Sequence, residues 1–246
     1  MTTTSTAATT PTPRARRSAD ELRALAEAGS RELGPDATAD EVSAWAARTF
    51  PGTLAVACSM QDAVLPAVVA RAAPGVDVLF LDTGYHFAET YGTRAQVAHE
   101  LDVTIVDVRP ELTVAEQDAE YGPRLYERDP AACCRMRKVE PLKAALAGYE
   151  AWVTGIRRDE GPTRAATPLV TFDEQFGLVK LNPLAAWTFD EVVDHAVEHR
   201  VPVNLLLSDG YPSIGCEPCT QRVAPGDDPR AGRWAGFAKT ECGLHS

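Results

Sequence analysis

The chain has 246 residues and carries 35 acidic side chains against 24 Lys and Arg, giving a formal net charge of −11 at neutral pH. This balance argues against binding to a nucleic-acid polymer, because neutralising its phosphates needs a basic surface. No apolar run approaches the roughly 18 residues that a membrane-spanning helix needs, and no secretory signal is evident, so a cytoplasmic protein with no membrane partner is expected.

Three parts are expected along the chain. Residues 1–17 are rich in Thr and Ala and contain no acid, which predicts a disordered N-terminal tail. Residues 18–234 are long enough for a single domain with a substantial core. Residues 235–246 are mostly small and charged and predict a mobile C-terminal tail.

The N-terminal half predicts alternating helices and strands. Capping boxes beginning at Ser18 and Thr38 each predict the start of a helix. Short apolar runs predict strands at 54–58, 76–81, 103–108 and 151–155, with helical segments ending near Ala73 and covering about 88–101. Such alternation predicts an α/β fold with a mostly parallel twisted sheet and helices on both faces.

The C-terminal half predicts an added hairpin and one more helix. Residues 168–172 and 178–181 form the expected hairpin. A capping box at Thr188 predicts a helix that ends at about Arg200. From Ser208 onward Gly, Pro and Asp predict loop structure.

Four cysteines form two pairs suited to metal binding. Asp129-Pro130 predicts a helix start, which places Cys133 and Cys134 near a helix N-terminus that favours thiolates. Cys216 and Cys219 form a CxxC pair. Adjacent helical residues point about 100° apart, which is awkward for one tetrahedral zinc, so the spacing favours a 4Fe-4S cluster over zinc.

The other two cysteines have different expected roles. Cys58 follows an apolar run and is expected to be a buried small hydrophobe. Cys242 lies in the C-terminal tail, where a thiol can enter and leave a cleft. Lys239 and His245 would lower its pKa, whereas Glu241 would oppose them.

Basic side chains also cluster, which suggests a small anionic ligand within an acidic protein. The clusters are Arg135, Arg137 and Lys138; Arg157, Arg158 and Arg164; and Arg230 with Arg233.

Four motifs in order carry a resemblance to a known family: Cys133-Cys134-Arg-Met-Arg-Lys138, Cys216-Glu-Pro-Cys219, Arg230-Ala-Gly-Arg233-Trp234 and Glu241-Cys242-Gly-Leu-His245. Together they resemble the assimilatory adenylylsulfate (APS) reductases, close relatives of the phosphoadenylylsulfate (PAPS) reductases. The resemblance implies a fold similar to the PP-loop ATP pyrophosphatases (adenine nucleotide alpha hydrolase-like), with residues 18–234 as the reductase domain.

The resemblance also implies an activity in sulfate assimilation. Cys242 would attack APS, release AMP and carry an S-sulfocysteine from which thioredoxin releases sulfite. The four paired cysteines would bind one 4Fe-4S cluster. We expect this cluster to order Lys138 and the loop of Cys216 and to supply local charge, and not to carry electrons. The implied substrate-binding residues are Lys138, Arg164, Arg230, Arg233, His245, Ser59, Asp62, Thr83 and Gly155.

The chain departs from the family pattern at one loop. Many relatives have Ser-Gly-x-x-Asp where this chain has 58–62, so Ser59 stands at the glycine position. The reductant is expected to be a separate thioredoxin, and a homo-oligomer is possible. Two alternatives stay open: a cluster-containing PAPS reductase, and a non-catalytic iron–sulfur or zinc-stabilised protein that binds an adenine nucleotide.

Overall fold

A computed structural model describes residues 16–237, 239 and 241–244 of the chain. The expected N-terminal tail, 1–17, lies almost wholly outside the described residues. His245 also lies outside them.

The helices begin largely where the capping signals predict. Boxes at Ser18, Thr38 and Thr188 all form, and another at Thr113 opens a helix that the sequence analysis did not predict. Along the described chain the α-helices are α1 (Ala19–Leu33), α2 (Ala39–Thr49), α3 (Val64–Ala72), α4 (Ala88–Glu100), α5 (Val114–Tyr121), α6 (Leu125–Arg128), α7 (Pro130–Cys134), α8 (Glu140–Leu146) and α9 (Phe189–His199).

The strands form one sheet, which confirms the predicted fold class. They are β1 (Leu54–Ala57), β2 (Val76–Leu81), β3 (Val103–Val108), β4 (Ala151–Val153), β5 (Val170–Asp173) and β6 (Leu178–Leu181). Their order is β3-β2-β1-β4-β6-β5. All neighbours pair in parallel except β5 and β6, which form the predicted hairpin at one edge.

Both faces of the sheet are covered by apolar packing. Along β4, Ala151 and Val153 join the larger core, whereas Trp152 between them joins a second core that includes Leu142 and Leu146 of α8. This alternation follows from the two-residue period of a strand. Burial on both faces explains why the central strands β1 and β4 are continuous apolar runs.

The strand order creates a crevice at the centre of the sheet. β1 pairs with β2 on one side and with β4 on the other. The chain therefore continues from β1 to β2 and β3 on one side, and then crosses to β4 on the opposite side of β1. In open parallel sheets, ligands bind outside the carboxyl ends of the strands at such a reversal.

The helix after the first cysteine pair is irregular. A π-helix, Arg135–Val139, joins α7 directly to α8, so Lys138 does not follow Cys134 by a regular α-helical turn. Pro141 has no amide hydrogen, and its ring clashes with the carbonyl four residues earlier in a regular α-helix. The wider π turn relieves this conflict.

Among the described residues, no helix combines the length and the apolar character that crossing a bilayer requires.

Candidate active site

A cleft with a largely apolar lining opens at the carboxyl ends of β1, β2 and β4. Its volume is about 1190 Å³ including its open mouth. The predicted site residues that line it are Ser59, Asp62, Thr83, Lys138, Gly155, Arg164, Arg230, Arg233 and Cys242. His245 lies outside the described residues, so its prediction is not tested.

The loop after β1 forms one wall of the cleft. Ser59 is exposed there, and the next residue, Met60, is fully buried in the left-handed region with φ of 60°. Asn204 stabilises this conformation by donating hydrogen bonds to Met60 O and Thr90 Oγ1, both at 3.2 Å. Asn204, which the sequence analysis did not identify, therefore supports the loop despite the missing glycine.

Asp62 ends this loop and begins the turn into α3. Its Oδ1 accepts a hydrogen bond from Val64 N at 3.0 Å. Burial raises the pKa of the Asp62 carboxyl, and the Val64 amide and the charge of Arg157 oppose that rise. The side chain thus combines a structural role in the turn with a place on the cleft wall.

Cys58 also lines the cleft, because β1 ends one residue earlier at Ala57. Its Sγ lies 3.4 Å from the Asp62 carbonyl oxygen. Burial raises the pKa of the Cys58 thiol to about 12, and the charge of Asp62 adds to this effect. Cys58 is therefore a protonated and weakly nucleophilic thiol near neutral pH.

Arg164 forms an ion-pair network with two carboxylates. Its Nη1 donates to Glu160 Oε2 at 2.6 Å, and its Nε and Nη2 donate to the two carboxylate oxygens of Glu241 at 2.7 Å each. Burial lowers the pKa of the Arg164 guanidinium, but the hydrogen bonds to Glu241 and the charges of both carboxylates outweigh it and raise the pKa. Arg230 Nη2 lies 3.3 Å from Glu241 Oε2 and joins the network.

The segment around Cys242 lies in the cleft. The thiol is half-buried. Gln175 donates a hydrogen bond to the carbonyl of Gly243 at 3.0 Å, and Leu244 packs against the second core. These contacts bring the predicted nucleophile to the same cleft as the predicted cations.

Arg233 is held by its neighbours at the cleft wall. Its Nη1 donates to Ser213 Oγ at 3.2 Å, and its guanidinium stacks on Trp234 with Cζ 4.8 Å from the ring centroid. Within the described chain, Arg233 Nε, Trp234 Nε1 and His86 Nδ1 are buried without a hydrogen-bond partner.

His86 is a cleft residue that the sequence analysis did not identify. Its Nε2 lies 2.7 Å from the Leu81 carbonyl oxygen, so Nε2 carries the proton and Nδ1 is an acceptor. Burial lowers the pKa of the imidazole, which keeps the ring neutral. No residue spacing signals this role, because it depends on the contact between the ring and the end of β2.

The four paired cysteines line a smaller cavity beside the cleft. This cavity has a volume of about 310 Å³ including open solvent, and Cys133, Cys134, Cys216 and Cys219 all contribute to its wall. The Asp129 side chain accepts a hydrogen bond from Ala132 N at 2.9 Å and caps α7, as predicted. An antiparallel bridge between His86 and Cys216 brings the second cysteine pair to the first.

The chemistry of these thiols suits a group that carries positive charge. Burial raises the pKa of Cys133 to about 12, and nearby thiolates add to the rise. Burial likewise raises the pKa of Cys219 to about 11. For Cys216, the charge of Lys138 and a contact of 3.3 Å with Thr83 Oγ1 outweigh burial and lower the pKa.

The four cysteines are a donor set of the kind that a 4Fe-4S cluster accepts. Among the described residues, no group of three or more His, Cys, Asp or Glu side chains converges on one ion position. The four thiols nevertheless line one cavity. In a 4Fe-4S cluster each thiolate binds a different iron, so the sulfurs need not meet at one point.

Lys138 connects the two cavities. It lines both the cleft and the cysteine cavity. Burial lowers the pKa of its ammonium, but the charges of Cys216, Cys242 and Cys134 outweigh burial and raise the pKa. Lys138 is therefore charged and lies near both sets of sulfur atoms.

Comparisons with known proteins agree with this geometry. A sequence profile described as the phosphoadenosine phosphosulfate reductase domain matches residues 53–222. The adenosine 5'-phosphosulfate reductase of Streptomyces coelicolor is 58% identical over 93% of this chain and 97% of its own. The enzyme of the same name from Mycolicibacterium smegmatis is also 58% identical, over 92% of this chain and 95% of its own.

Solved structures show the same fold. The phosphoadenylyl-sulfate (PAPS) reductase from Candida auris, in a phosphate complex, superposes with a TM-score of 0.66 and 29% identity over 81% of this chain and 96% of its own. The FMN adenylyltransferase of Candida glabrata superposes with a TM-score of 0.53 and 11% identity over 83% of this chain and 74% of its own, which shows a shared fold alone. The expected PP-loop-like architecture is thereby confirmed.

Proposed function

The chain belongs to the phosphoadenosine phosphosulfate reductase family, and from that premise we propose that it reduces APS to sulfite and AMP with Cys242 as nucleophile. The supporting observation is that the Cys242 thiol lines the same cleft as Lys138, Arg230 and Arg233. A thiol and three cations at one cleft suit the transfer of an anionic sulfuryl group, because charge develops on its oxygens and on the leaving phosphate.

APS is preferred to PAPS as the substrate for two reasons. The matched curated relatives that share 51–58% identity with this chain are adenosine 5'-phosphosulfate reductases, whereas the PAPS reductase structure is 29% identical. Both cysteine pairs are also present and line one cavity. The alternative is a PAPS reductase with the same nucleophile, which would release adenosine 3',5'-bisphosphate.

The first chemical step is the transfer of the sulfuryl group to the enzyme. The Cys242 thiolate attacks the sulfate sulfur in line with the bond to the phosphate oxygen, forming an S–S bond as the S–O bond breaks. The electron pair of the broken bond leaves with AMP, and Cys242 becomes S-sulfocysteine. Lys138 and Arg233 stabilise the developing negative charge, while Arg230 orients the nucleotide.

The second step needs a dithiol, for which we propose a separate thioredoxin. One of its thiolates attacks the Cys242 sulfur, and sulfite leaves with the S–S bonding pair. The second thioredoxin thiol then resolves the mixed disulfide and regenerates Cys242. Sulfur is reduced by two electrons overall, and the dithiol is oxidised to a disulfide.

One 4Fe-4S cluster is proposed on Cys133, Cys134, Cys216 and Cys219. When bound, it supplies a cross-link between two distant segments and a fixed local charge beside the substrate. Lys138 lines the wall shared with this cavity and presents its charge to both sides. We further propose an assimilatory role in the cytoplasm, with 18–234 as the reductase domain and 235–246 as the catalytic tail.

One experiment separates these alternatives. The protein is purified without oxygen, incubated with APS or with PAPS in the absence of reductant, and digested for mass spectrometry. We expect a sulfonate on the Cys242 peptide, faster with APS, and none on the Cys58 peptide or in the Cys242→Ser variant. Faster modification by PAPS would favour the alternative substrate, and no adduct with either would favour a non-catalytic nucleotide-binding protein.

A further inference from the structure

Glu241 precedes the nucleophile and contacts two arginines and Thr163. We infer that Glu241 is a positioning residue whose carboxylate, held by Arg164, seats the Cys242 thiol in the cleft. The inference rests on the proposed function, because positioning has meaning only if Cys242 reacts. It adds a contact with the tail to the position of Arg164 on the cleft wall.

Arg164 and Glu241 form a two-point ion pair, called the clamp below. Arg164 Nε and Nη2 donate to separate oxygens of Glu241, both at 2.7 Å. Such two-point contacts fix orientation as well as distance. The third nitrogen, Nη1, donates to Glu160 at 2.6 Å, so every nitrogen of the Arg164 guanidinium faces a carboxylate.

Burial makes the clamp sensitive to the loss of either partner. The side chain of Arg164 is 10% exposed and that of Glu241 is 17% exposed. Removing one member of a buried ion pair leaves the other charge poorly solvated. For Glu241, burial raises the pKa of the carboxyl, but the hydrogen bond to Arg164 and the charges of Arg164 and Arg230 together outweigh burial and lower the pKa, so the pair is ionised at neutral pH.

The clamp acts next to the reacting atom. Glu241 and Cys242 share a peptide bond, so fixing the first constrains the backbone of the second. On the other side, Gln175 binds the Gly243 carbonyl and Leu244 packs on the second core. The thiol is thus held between a charged contact before it and two weaker contacts after it.

A competing interpretation gives opposite kinetics. Glu241 also contacts Arg230, at 3.3 Å, so its carboxylate would compete with the substrate if the two arginines bound the same anion. A competitor weakens substrate binding, and its removal lowers the half-saturating concentration. A positioning residue aligns the nucleophile, and its removal lowers the limiting rate.

The test compares the unaltered protein with Glu241→Gln, Glu241→Asp and a matched control, Asp107→Asn. Asp107 makes the same two-point contact with Arg94, at 3.0 and 2.8 Å, at the β3 edge of the sheet and not on the cleft wall. Two rates are measured on the Cys242 peptide by mass spectrometry. One is alkylation by iodoacetamide without substrate, and the other is S-sulfonation over a range of APS concentrations.

For Glu241→Gln we expect the rate of Cys242 alkylation to rise about threefold or more, because the released tail leaves the cleft more often and exposes the thiol to the reagent. We expect the limiting S-sulfonation rate to fall about tenfold, with a half-saturating concentration within about twofold of the unaltered value. Glu241→Asp keeps the charge with a shorter reach and should give intermediate rates. Asp107→Asn should match the unaltered protein.

Two results would overturn the inference. A lower half-saturating concentration at an unchanged limiting rate would make Glu241 a competitor, and unchanged alkylation together with unchanged S-sulfonation would remove any role for it. Absence of an adduct in the unaltered protein, with APS and with PAPS, is a failure of the proposed function instead. Alkylation of Glu241→Asp, which keeps the negative charge beside Cys242, then decides whether Glu241 holds the tail.

Discussion

Replacing Gly215 by Ala tests whether the position of Arg233 governs catalysis. A Cβ at Gly215 would lie 2.5 Å from Arg233 Cζ and closer still to Nη2. Ordinary van der Waals contact of a Cβ begins at 3.4 Å. Because Nη2 lies closer than Cζ, the guanidinium must move by roughly 1 Å or more. The backbone of Gly215 is not in the left-handed region, so Ala adds no strain of its own.

The expected effect follows from this displacement. A misplacement of about 1 Å near a reacting group costs on the order of 100-fold in rate, or about 2.7 kcal/mol of transition-state stabilisation. We therefore expect the limiting S-sulfonation rate of Gly215→Ala to fall about 100-fold. The rate is measured by quenching the reaction with APS and quantifying sulfonate on the Cys242 peptide.

Two further variants make the test specific to Arg233. Gly92→Ala adds a Cβ with nothing within 4 Å and should leave the rate within about twofold. If Gly215→Ala acts through Arg233, combining it with Arg233→Met should slow the reaction no more than Arg233→Met alone. A folded Gly215→Ala protein with the unaltered rate, or full additivity in the double variant, would refute the reasoning.

Three other perturbations have defined outcomes. Gly29→Ala should lower the free energy of unfolding, measured by urea denaturation, by about 1–3 kcal/mol. The added Cβ would lie 2.6 Å from Trp45 Cη2, and this overpacking outweighs the better helix propensity of Ala. A gain in stability would contradict this prediction. Lys138→Met should lower the S-sulfonation rate about 100-fold or more, measured on protein with matched iron content, and an unchanged rate would remove Lys138 from charge stabilisation. Cys219→Ser should reduce bound iron and visible absorption while Cys58→Ser retains both, so equal iron in the two variants would argue against the assigned ligands.

Local signals in the sequence predict much of the fold. The bounds of β2 and β3 agree with the apolar runs, and three capping boxes begin helices where expected. The helix α5 was missed although Thr113 and Glu116 form the same signal. The π-helix was missed because the spacing from Cys134 to Lys138 matches an α-helical turn equally well.

In the candidate site, too, residues within local motifs were predicted from the sequence, whereas contacts between distant residues were not. Motif residues such as Lys138 and Cys242 carry their chemistry in their type and spacing, and the described residues among them do line the cleft. The sequence analysis treats Glu241 only as a charge opposing ionisation of Cys242. Its pairing with Arg164 joins residues 77 positions apart, and no local pattern encodes such a contact. Asn204 and His86 were missed for the same reason.

The π-helix Arg135–Val139 acts as a phase shift between two helical faces. Before it, α7 presents Cys133 and Cys134 to the cysteine cavity, and after it α8 presents Leu142 and Leu146 to the second core. Each residue of an α-helix turns the chain by about 100°. Deleting one residue to restore a regular helix would therefore rotate one face away from its partner. Away from Arg137 and Lys138, this segment should therefore accept substitutions more readily than insertions or deletions. A change in its length would turn α7 and α8 relative to each other and separate either the cysteines or the leucines from their partners.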